Sequence, residues 1–356
     1  MAERVMMKGN EAIAEGAIRA GCRFFFGYPI TPQNEVPEYM SRRMPEVGGT
    51  FIQAESEVSA INMVYGAAGA GVRAMTSSSS PGGSLKMEGI SYAAGAELPC
   101  VIVNVSRGGP GLGGLSPSQS DYFQATKGGG HGDYRLVVFA PASVQEIIDL
   151  MYLAFVTADK YRNPVVVLAD GLLGQMMEPV TLTEVEDLQI PAKPWATTGM
   201  MNGKPQSVIN SLGLIGEELE KINARLQKKY REIEANEVRF EEEGTEEADL
   251  VVVAYGTSAR VAKSAIAKAK LAGKKVGLFR PITLWPFPTK QLSELGKAGK
   301  RFLVVEMSAG QMVEDVRLAV NGQARVDFFG KLNGTIPSVN EVYDAIIKSF
   351  NGQGVA

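Results

Sequence analysis

Between residues 22 and 169 short apolar runs alternate with longer stretches of helical spacing. Cys22–Gly27 (CRFFFG) is a strand signal closed by Gly-Tyr-Pro. A short strand then meets a very apolar helix, expected over Glu57–Ala70. Val72–Thr76 predicts a strand, and Gly83–Ala94 a helix that packs through small residues. Val101–Val105 (VIVNV) suits a strand buried on both faces. Leu136–Phe139 predicts another strand. Val144–Ala158 predicts a helix, with Ser143 as N-cap and Glu146 three residues on, a capping box. Pro164–Ala169 (PVVVLA) adds one more buried strand. Strands alternating with helices imply an α/β fold with a parallel sheet covered on both faces. Ligands of such sheets bind beyond the carboxyl ends of the strands. That singles out the loops Tyr28–Pro32, Ser77–Gly83 and Ser106–Gly132.

The pattern changes after residue 180, where Pro191 and Pro194 interrupt it, as Pro179 does just before. Glu217–Glu234 then reads as a charged, solvated helical arm, with Glu220 set to meet Arg225 and Glu218 to meet Lys221. A second α/β unit follows. Its strands are expected at Leu250–Ala254, Lys275–Phe279 and Phe302–Glu306, and its helices at Thr257–Ala272, Gln311–Val320 and Val339–Ser349. The division is therefore 1–190, a linker with its arm at 191–247, and 248–356. A chain of 356 residues exceeds one ordinary core, in line with two domains.

Composition narrows the chemistry. A net charge of −3 without a basic stripe gives no footprint for nucleic acid. No apolar run approaches a membrane span, and Met1–Val5 lacks the opening of a signal peptide, so a cytoplasmic protein is expected. The two cysteines, Cys22 and Cys100, edge apolar runs and read as small buried hydrophobes; without C-x-x-C the chain holds no iron–sulfur cluster by itself. One histidine, His131, is a thin basis for a zinc hydrolase or a histidine triad.

Several loops carry candidate chemistry. Gly109–Gly114 matches G-x-G-x-x-G, but Leu115-Ser-Pro117 does not open a helix, which argues for a loop or lid and against a nicotinamide site. The serines Ser77–Ser80 lack the lysine of a P-loop, since Lys86 comes too late. Tyr28-Pro-Ile-Thr-Pro32 is a rigid turn, because two prolines fix the backbone. Glu57 has two readings, a carboxylate favoured at a helix start or a half-buried, proton-active group. Arg107 follows a strand and is placed to grip a carboxylate, or to make a surface ion pair. His131, between glycines, could line a pocket or face solvent.

Together these segments resemble the α, pyrimidine-binding, subunit of the 2-oxoacid:ferredoxin oxidoreductases. The resemblance is carried by YPITP at 28–32, QAESE at 53–57, TSSSSPGG at 76–83, ELPCVIVNVSR at 97–107 and RPITLWPFP at 280–288, and it covers nearly the whole chain. It is nearest to the branched-chain type, which acts on 3-methyl-2-oxobutanoate; the 2-oxoglutarate type is also similar. It implies a thiamine-diphosphate-binding-like, pyrimidine-binding parallel-sheet domain, followed by a transketolase C-terminal-like α/β domain that serves assembly.

The resemblance also implies roles. Thiamine diphosphate would lie between two chains, with this one on its aminopyrimidine side. Glu57 matches the glutamate that hydrogen-bonds N1′ of the pyrimidine; it is preferred to Glu55 because it keeps the family's distance to Gly66-Ala67. Tyr28 and Pro29 would line the cofactor. Thr31 and Arg107 would meet the substrate's oxyanion and carboxylate, with Ile30 and His131 lining its pocket. Gly132-Asp-Tyr134 is not the family's metal-binding Gly-Asp-Gly. Mg2+ and [4Fe-4S] clusters are therefore expected on partner chains. These would be a diphosphate-binding β subunit, a γ subunit and a ferredoxin-like iron–sulfur subunit, with coenzyme A as co-substrate and ferredoxin as acceptor. A non-catalytic assembly subunit is the competing reading, and an intact Glu57, Thr31 and Arg107 argues against it.

Overall fold

The computed structural model describes residues 3–182, 188, 190–200, 203, 205–332 and 334–355. The expected boundary at 190 thus adjoins residues outside the described set, as does the expectation about Met1–Val5 for its first two residues.

The first unit runs β1 (Glu3–Lys8), α1 (Gly9–Arg19), β2 (Phe24–Gly27), α2 (Glu35–Glu46), β3 (Thr50–Gln53), α3 (Glu57–Gly69), β4 (Ala74–Ser78), α4 (Ser80–Gly95), β5 (Val101–Ser106), β6 (Val137–Phe139), α5 (Val144–Tyr161), β7 (Val165–Asp170), α6 (Gly171–Gln175) and β8 (Met177–Leu182). A helix, α7 (Gly216–Asn236), leads to the second unit. That unit runs β9 (Phe240–Glu243), β10 (Leu250–Val253), α8 (Gly256–Leu271), β11 (Val276–Pro281), β12 (Thr283–Trp285), α9 (Thr289–Lys297), β13 (Arg301–Glu306), α10 (Met312–Val320), β14 (Val326–Gly330) and α11 (Val339–Phe350).

The first sheet has the order β12-β6-β7-β5-β4-β2-β3, parallel except for the edge strand β12. Every residue of β5 and β7 is buried, as unbroken apolar strands at the centre of a covered sheet should be. α1 packs on α2 and α5, while α3 packs on α4. The second sheet has the order β14-β13-β10-β11-β9, with only β9 antiparallel. Two strands cross the expected divisions. β9 lies in the stretch read as linker yet edges the second sheet, and β12, from the last unit, edges the first.

Three local expectations change. Ser143 caps α5 by accepting the Glu146 N–H at 3.1 Å, but the box stays half-closed. The Glu146 carboxylate turns instead to the Ala142 N–H at 2.7 Å and clamps Arg280 at 3.0 and 2.9 Å. Helix α7 is no solvated arm, because Leu226, Tyr230 and Ile233 are buried along one face. Arg225 reaches Glu97 at 2.7 Å rather than Glu220, and Lys229 joins it at 3.3 Å, which pins α7 to the first unit. Cys22 and Cys100 are buried as expected, and burial pushes both thiols up to about 12, so they are unreactive.

Gln119 ties the two units together. Its Nε2 donates to the Tyr255 carbonyl at 2.9 Å. Its Oε1 accepts from the Met307 N–H at 3.0 Å and the Ser258 hydroxyl at 2.6 Å. Every polar atom of this buried amide is thereby engaged across the junction, which fixes the loop after β5 on the second unit.

Candidate active site

Strands β2, β4 and β5 lie side by side, so the segments leaving their carboxyl ends converge. The turn after β2 is held from below. Pro32 offers its carbonyl to Asn10 Nδ2 at 2.7 Å and to Gln175 Nε2 at 3.0 Å. The Thr31 hydroxyl accepts from Asn34 at 3.2 Å, and its carbonyl accepts Arg107 Nη1 at 2.6 Å. Tyr28 and Pro29 are exposed, and Ile30 is half-buried.

Arg107, at the end of β5, is only 7% exposed. A second N–H, on Nη2, donates to the Leu112 carbonyl at 3.3 Å, while Nε has no partner. A guanidinium has five donors, so three remain for a ligand. The backbone of Arg107 is fixed as well, since its N–H donates to Ser80 Oγ at 2.9 Å. That hydroxyl donates on to Asp121 at 2.6 Å, and Asn104 donates to the same carboxylate at 2.8 Å.

Glu57 is the first residue of α3, behind the N-cap Ser56, whose hydroxyl accepts the Ser59 N–H at 3.2 Å. Its side chain turns inward and is 6% exposed. It lies against α4 at Gly82, where an added Cβ would stand 2.5 Å from Glu57 Oε1 and 2.1 Å from Ser78 Oγ. Only a glycine fits there. No hydrogen bond from the described residues reaches the Glu57 carboxylate. Glu55 behaves oppositely: it is exposed, and hydrogen bonding to Ser59 holds its carboxyl below the usual range.

The first turn of α4 joins the two halves of this cluster. Ser80 holds the Arg107 backbone, and Gly82 seats Glu57. Thr31, Arg107 and Glu57 thus belong to one constellation, with Tyr28, Pro29 and Ile30 on its rim. His131 does not join it. It is exposed, 3.5 Å from Ser91 Oγ and edge-on to Tyr92 with ring centroids 6.1 Å apart. Ser91 lies about 16 Å further along α4 than Ser80, at the usual helical rise.

The loop Gly108–Pro117 closes on itself, with the Gly108 N–H on the Ser116 carbonyl at 2.9 Å and the Gly114 N–H on the Gly108 carbonyl at 2.9 Å. It opens no helix, which fits the rejection of a dinucleotide fingerprint. Among the described residues no three His, Cys, Asp or Glu side chains are grouped to hold a metal ion. A cavity of about 790 Å³ lies at the junction of the units, where Arg280 is already matched by Glu146 and Glu241. The constellation at the strand ends is the better site, because the buried guanidinium of Arg107 keeps N–H groups without partners there.

One residue of weight was passed over in the sequence. Lys86 is fully buried on α4, and its Nζ has no hydrogen-bond partner among the described residues. The signal was present: Lys86 stands four residues after Gly82 and three before Gly89, on the one face of the helix that small residues mark for close packing.

Comparison with known proteins bears on the fold and the family. A family model described as "Pyruvate flavodoxin/ferredoxin oxidoreductase, thiamine diP-bdg" matches residues 15–235, and one described as "Pyruvate:ferredoxin oxidoreductase core domain II" matches 248–342. The ketoisovalerate oxidoreductase subunit VorB of Methanothermobacter thermautotrophicus is 53% identical over 341 residues, 96% of either chain. The 2-oxoglutarate synthase subunit KorA of Methanothermobacter marburgensis is 37% identical over 373 residues, 98% of this chain and 99% of that one. The 2-oxoglutarate:ferredoxin oxidoreductase from Magnetococcus marinus, solved with 2-oxoglutarate, coenzyme A and succinyl-CoA bound, superposes with a TM-score of 0.87 at 28% identity. The match covers 97% of this chain and 65% of that one. A split-gene transketolase, an inactive beta4 tetramer, shares the fold at a TM-score of 0.61 and 13% identity, covering 97% of this chain and 98% of that one.

Proposed function

We infer, from the fact that this chain belongs to the pyruvate flavodoxin/ferredoxin oxidoreductase family, that it is the pyrimidine-binding α subunit of a 2-oxoacid:ferredoxin oxidoreductase. The reaction is the oxidative decarboxylation of 3-methyl-2-oxobutanoate to an acyl-coenzyme A and carbon dioxide, with ferredoxin reduced. The branched-chain substrate is preferred to 2-oxoglutarate because the ketoisovalerate relative is 53% identical and the 2-oxoglutarate relative 37%.

The observation that carries this reading is Glu57: a carboxylate only 6% exposed, at the rim of the sheet, that no donor from the described residues satisfies. A carboxylate so enclosed, yet with no protein donor, is free to accept a hydrogen bond from a bound ligand. The ring nitrogen of thiamine diphosphate fits that role, and the exposed side chains of Ile52 and Val58 beside it offer an apolar bed. When bound, thiamine diphosphate supplies a thiazolium whose carbanion adds to a 2-oxo carbon and draws off the electrons left by decarboxylation. Glu57 would share a proton with the pyrimidine N1′, the acid–base part of the work. Arg107 would hold the substrate carboxylate with its remaining N–H groups, and the Thr31 hydroxyl would face the developing oxyanion. Tyr28 and Pro29 would border the cofactor, and Ile30 the substrate. His131 would reach the pocket only from a different side than Arg107.

Mg2+, the [4Fe-4S] clusters and the diphosphate grip would come from β, γ and ferredoxin-like partner subunits, and coenzyme A from solution. The second family match begins at 248, which supports starting the second unit there; that unit would serve assembly. No helix among the described residues is long and apolar enough to cross a membrane, and the reading places the complex in the cytoplasm. Calorimetric titration tests the shared site. Thiamine diphosphate is expected to bind the assembled complex at least about a hundredfold more tightly than the isolated chain, a share typical of a site split between partners. Tight binding by the chain alone would refute it.

A further inference from the structure

Lys86 sits where a lysine is least comfortable. It is 0% exposed, and among the described residues its Nζ finds neither a hydrogen bond nor an ion pair. Its face of α4 also presents Gly82 and Gly89, which touch Glu57 and Ile61, so this is the face packed on α3. Side chains on a helix lean toward its N-terminus, which carries Lys86 toward Gly82, Ser78 and Glu57. Two more buried atoms there lack partners, Ser78 Oγ and, on the same face of β4, Thr76 Oγ1.

The surrounding charges are few. From α3 the ammonium faces Glu57, whose charge bears on it. β4 contributes only the hydroxyls of Thr76 and Ser78, and β5 only Asn104 and Ser106. Asp121 is engaged by Ser80 and Asn104, and Arg107 donates to the carbonyls of Thr31 and Leu112. Glu88, on α4 itself, turns outward to the Tyr92 hydroxyl. A buried ammonium that is not in contact with its counter-charge destabilises a fold, so packing alone does not account for it.

We propose that Lys86 is a positioning residue that stores the proton Glu57 shares with the cofactor's ring nitrogen. The proposal rests on the reading of Glu57 given above. As that nitrogen docks, the flexible Lys86 side chain would close onto the Glu57 carboxylate, where one N–H bond of its ammonium breaks and one O–H bond forms on the carboxylate. The lysine keeps the electron pair as a neutral amine, and nothing is exchanged with solvent. Two buried charges become two neutral groups, which suits a site that subunit assembly dries. Burial brings the Lys86 ammonium down to about 8, with Glu57 opposing, so near neutral pH the proton is held but easily released.

Proton counting tests this. Thiamine diphosphate is titrated into the assembled complex at pH 7 in two buffers of different ionisation heat, which yields the protons exchanged on binding. Wild type is expected to exchange close to none. Lys86→Met is expected to take up about one from solvent, because Glu57 has lost its store, and Glu57→Gln to exchange none in either background. An unchanged proton count in Lys86→Met overturns the proposal while leaving Glu57 in place. Wild-type affinity in Glu57→Gln overturns the Glu57 reading, and the proposal with it. Should Lys86→Met not assemble, Lys86→Gln carries the same test.

Stability gives a second readout. A lysine lowered from 10.5 to about 8 penalises the fold fully below pH 8, and the penalty fades as pH rises toward 10.5. Lys86→Met should therefore melt several degrees higher than wild type at pH 7, with the gap closing at alkaline pH. A lower melting point at pH 7 would mark Lys86 as a packing residue and contradict the proposal.

Discussion

Glu57→Gln should reduce 2-oxoacid-dependent turnover of the assembled complex by at least about a hundredfold, the scale of a positioned acid–base group. The substitution keeps the volume of the side chain and removes only its ability to hold a proton. Its surroundings make the result specific. Glu57 is confined by Gly82 and Ser78 and accepts no hydrogen bond from the described residues, so no internal hydrogen bond is lost. Folding and assembly should be intact, with a melting point within a few degrees of wild type. Glu55→Gln is the control: that carboxylate is exposed, and its loss should leave turnover within about twofold. A fall in turnover for Glu55→Gln as large as for Glu57→Gln would remove the basis for choosing between them.

Arg107→Met should lower kcat/KM for the 2-oxo acid by about a hundredfold to a thousandfold, mostly through KM. A charge-assisted pair in a site shielded from water is worth roughly 2–4 kcal/mol, and that spans this range. Arg107 also has a structural part, since it donates to the carbonyls of Thr31 and Leu112. Leaving those carbonyls unsatisfied should cost about 1–3 kcal/mol of stability, read as a melting point a few degrees lower. The two effects separate by cofactor affinity. Thiamine diphosphate should still bind Arg107→Met as it binds wild type, whereas it should bind Glu57→Gln more weakly. A drop in kcat with KM unchanged would mean that Arg107 does not grip the substrate carboxylate.

The central sheet was legible because its chemistry is one-dimensional. VIVNVS and VVVLAD are buried on both faces, and only apolar runs survive there. Helix α2 was missed because Pro37 and Pro45 lie within Glu35–Glu46, a composition that argues against a helix until tertiary packing overrides it. Helix α1 was missed for a similar reason: Asn10 and Glu15 are buried on a face that periodicity expects to be apolar. Strand β12 could not be foreseen, since its partner β6 is more than a hundred residues away and the pairing leaves no local trace. The site divides the same way. Thr31 and Arg107 were each marked by a strand end, and the structure joins them through one hydrogen bond of 2.6 Å. Lys86 carries no phosphate-loop spacing, and beyond Gly82 and Gly89 nothing in its local sequence marks it. Its burial depends on α3 packing against Gly82 and Gly89, a contact between helices that a single sequence does not display.

One assay tests the assigned reaction most directly. The chain is co-expressed with its partner subunits, and viologen reduction is followed with coenzyme A and each of 3-methyl-2-oxobutanoate, 2-oxoglutarate and pyruvate. Reduction that requires the 2-oxo acid, with the highest kcat/KM for 3-methyl-2-oxobutanoate, is the predicted result. An assembled, cofactor-loaded complex that reduces viologen with none of the three would contradict it.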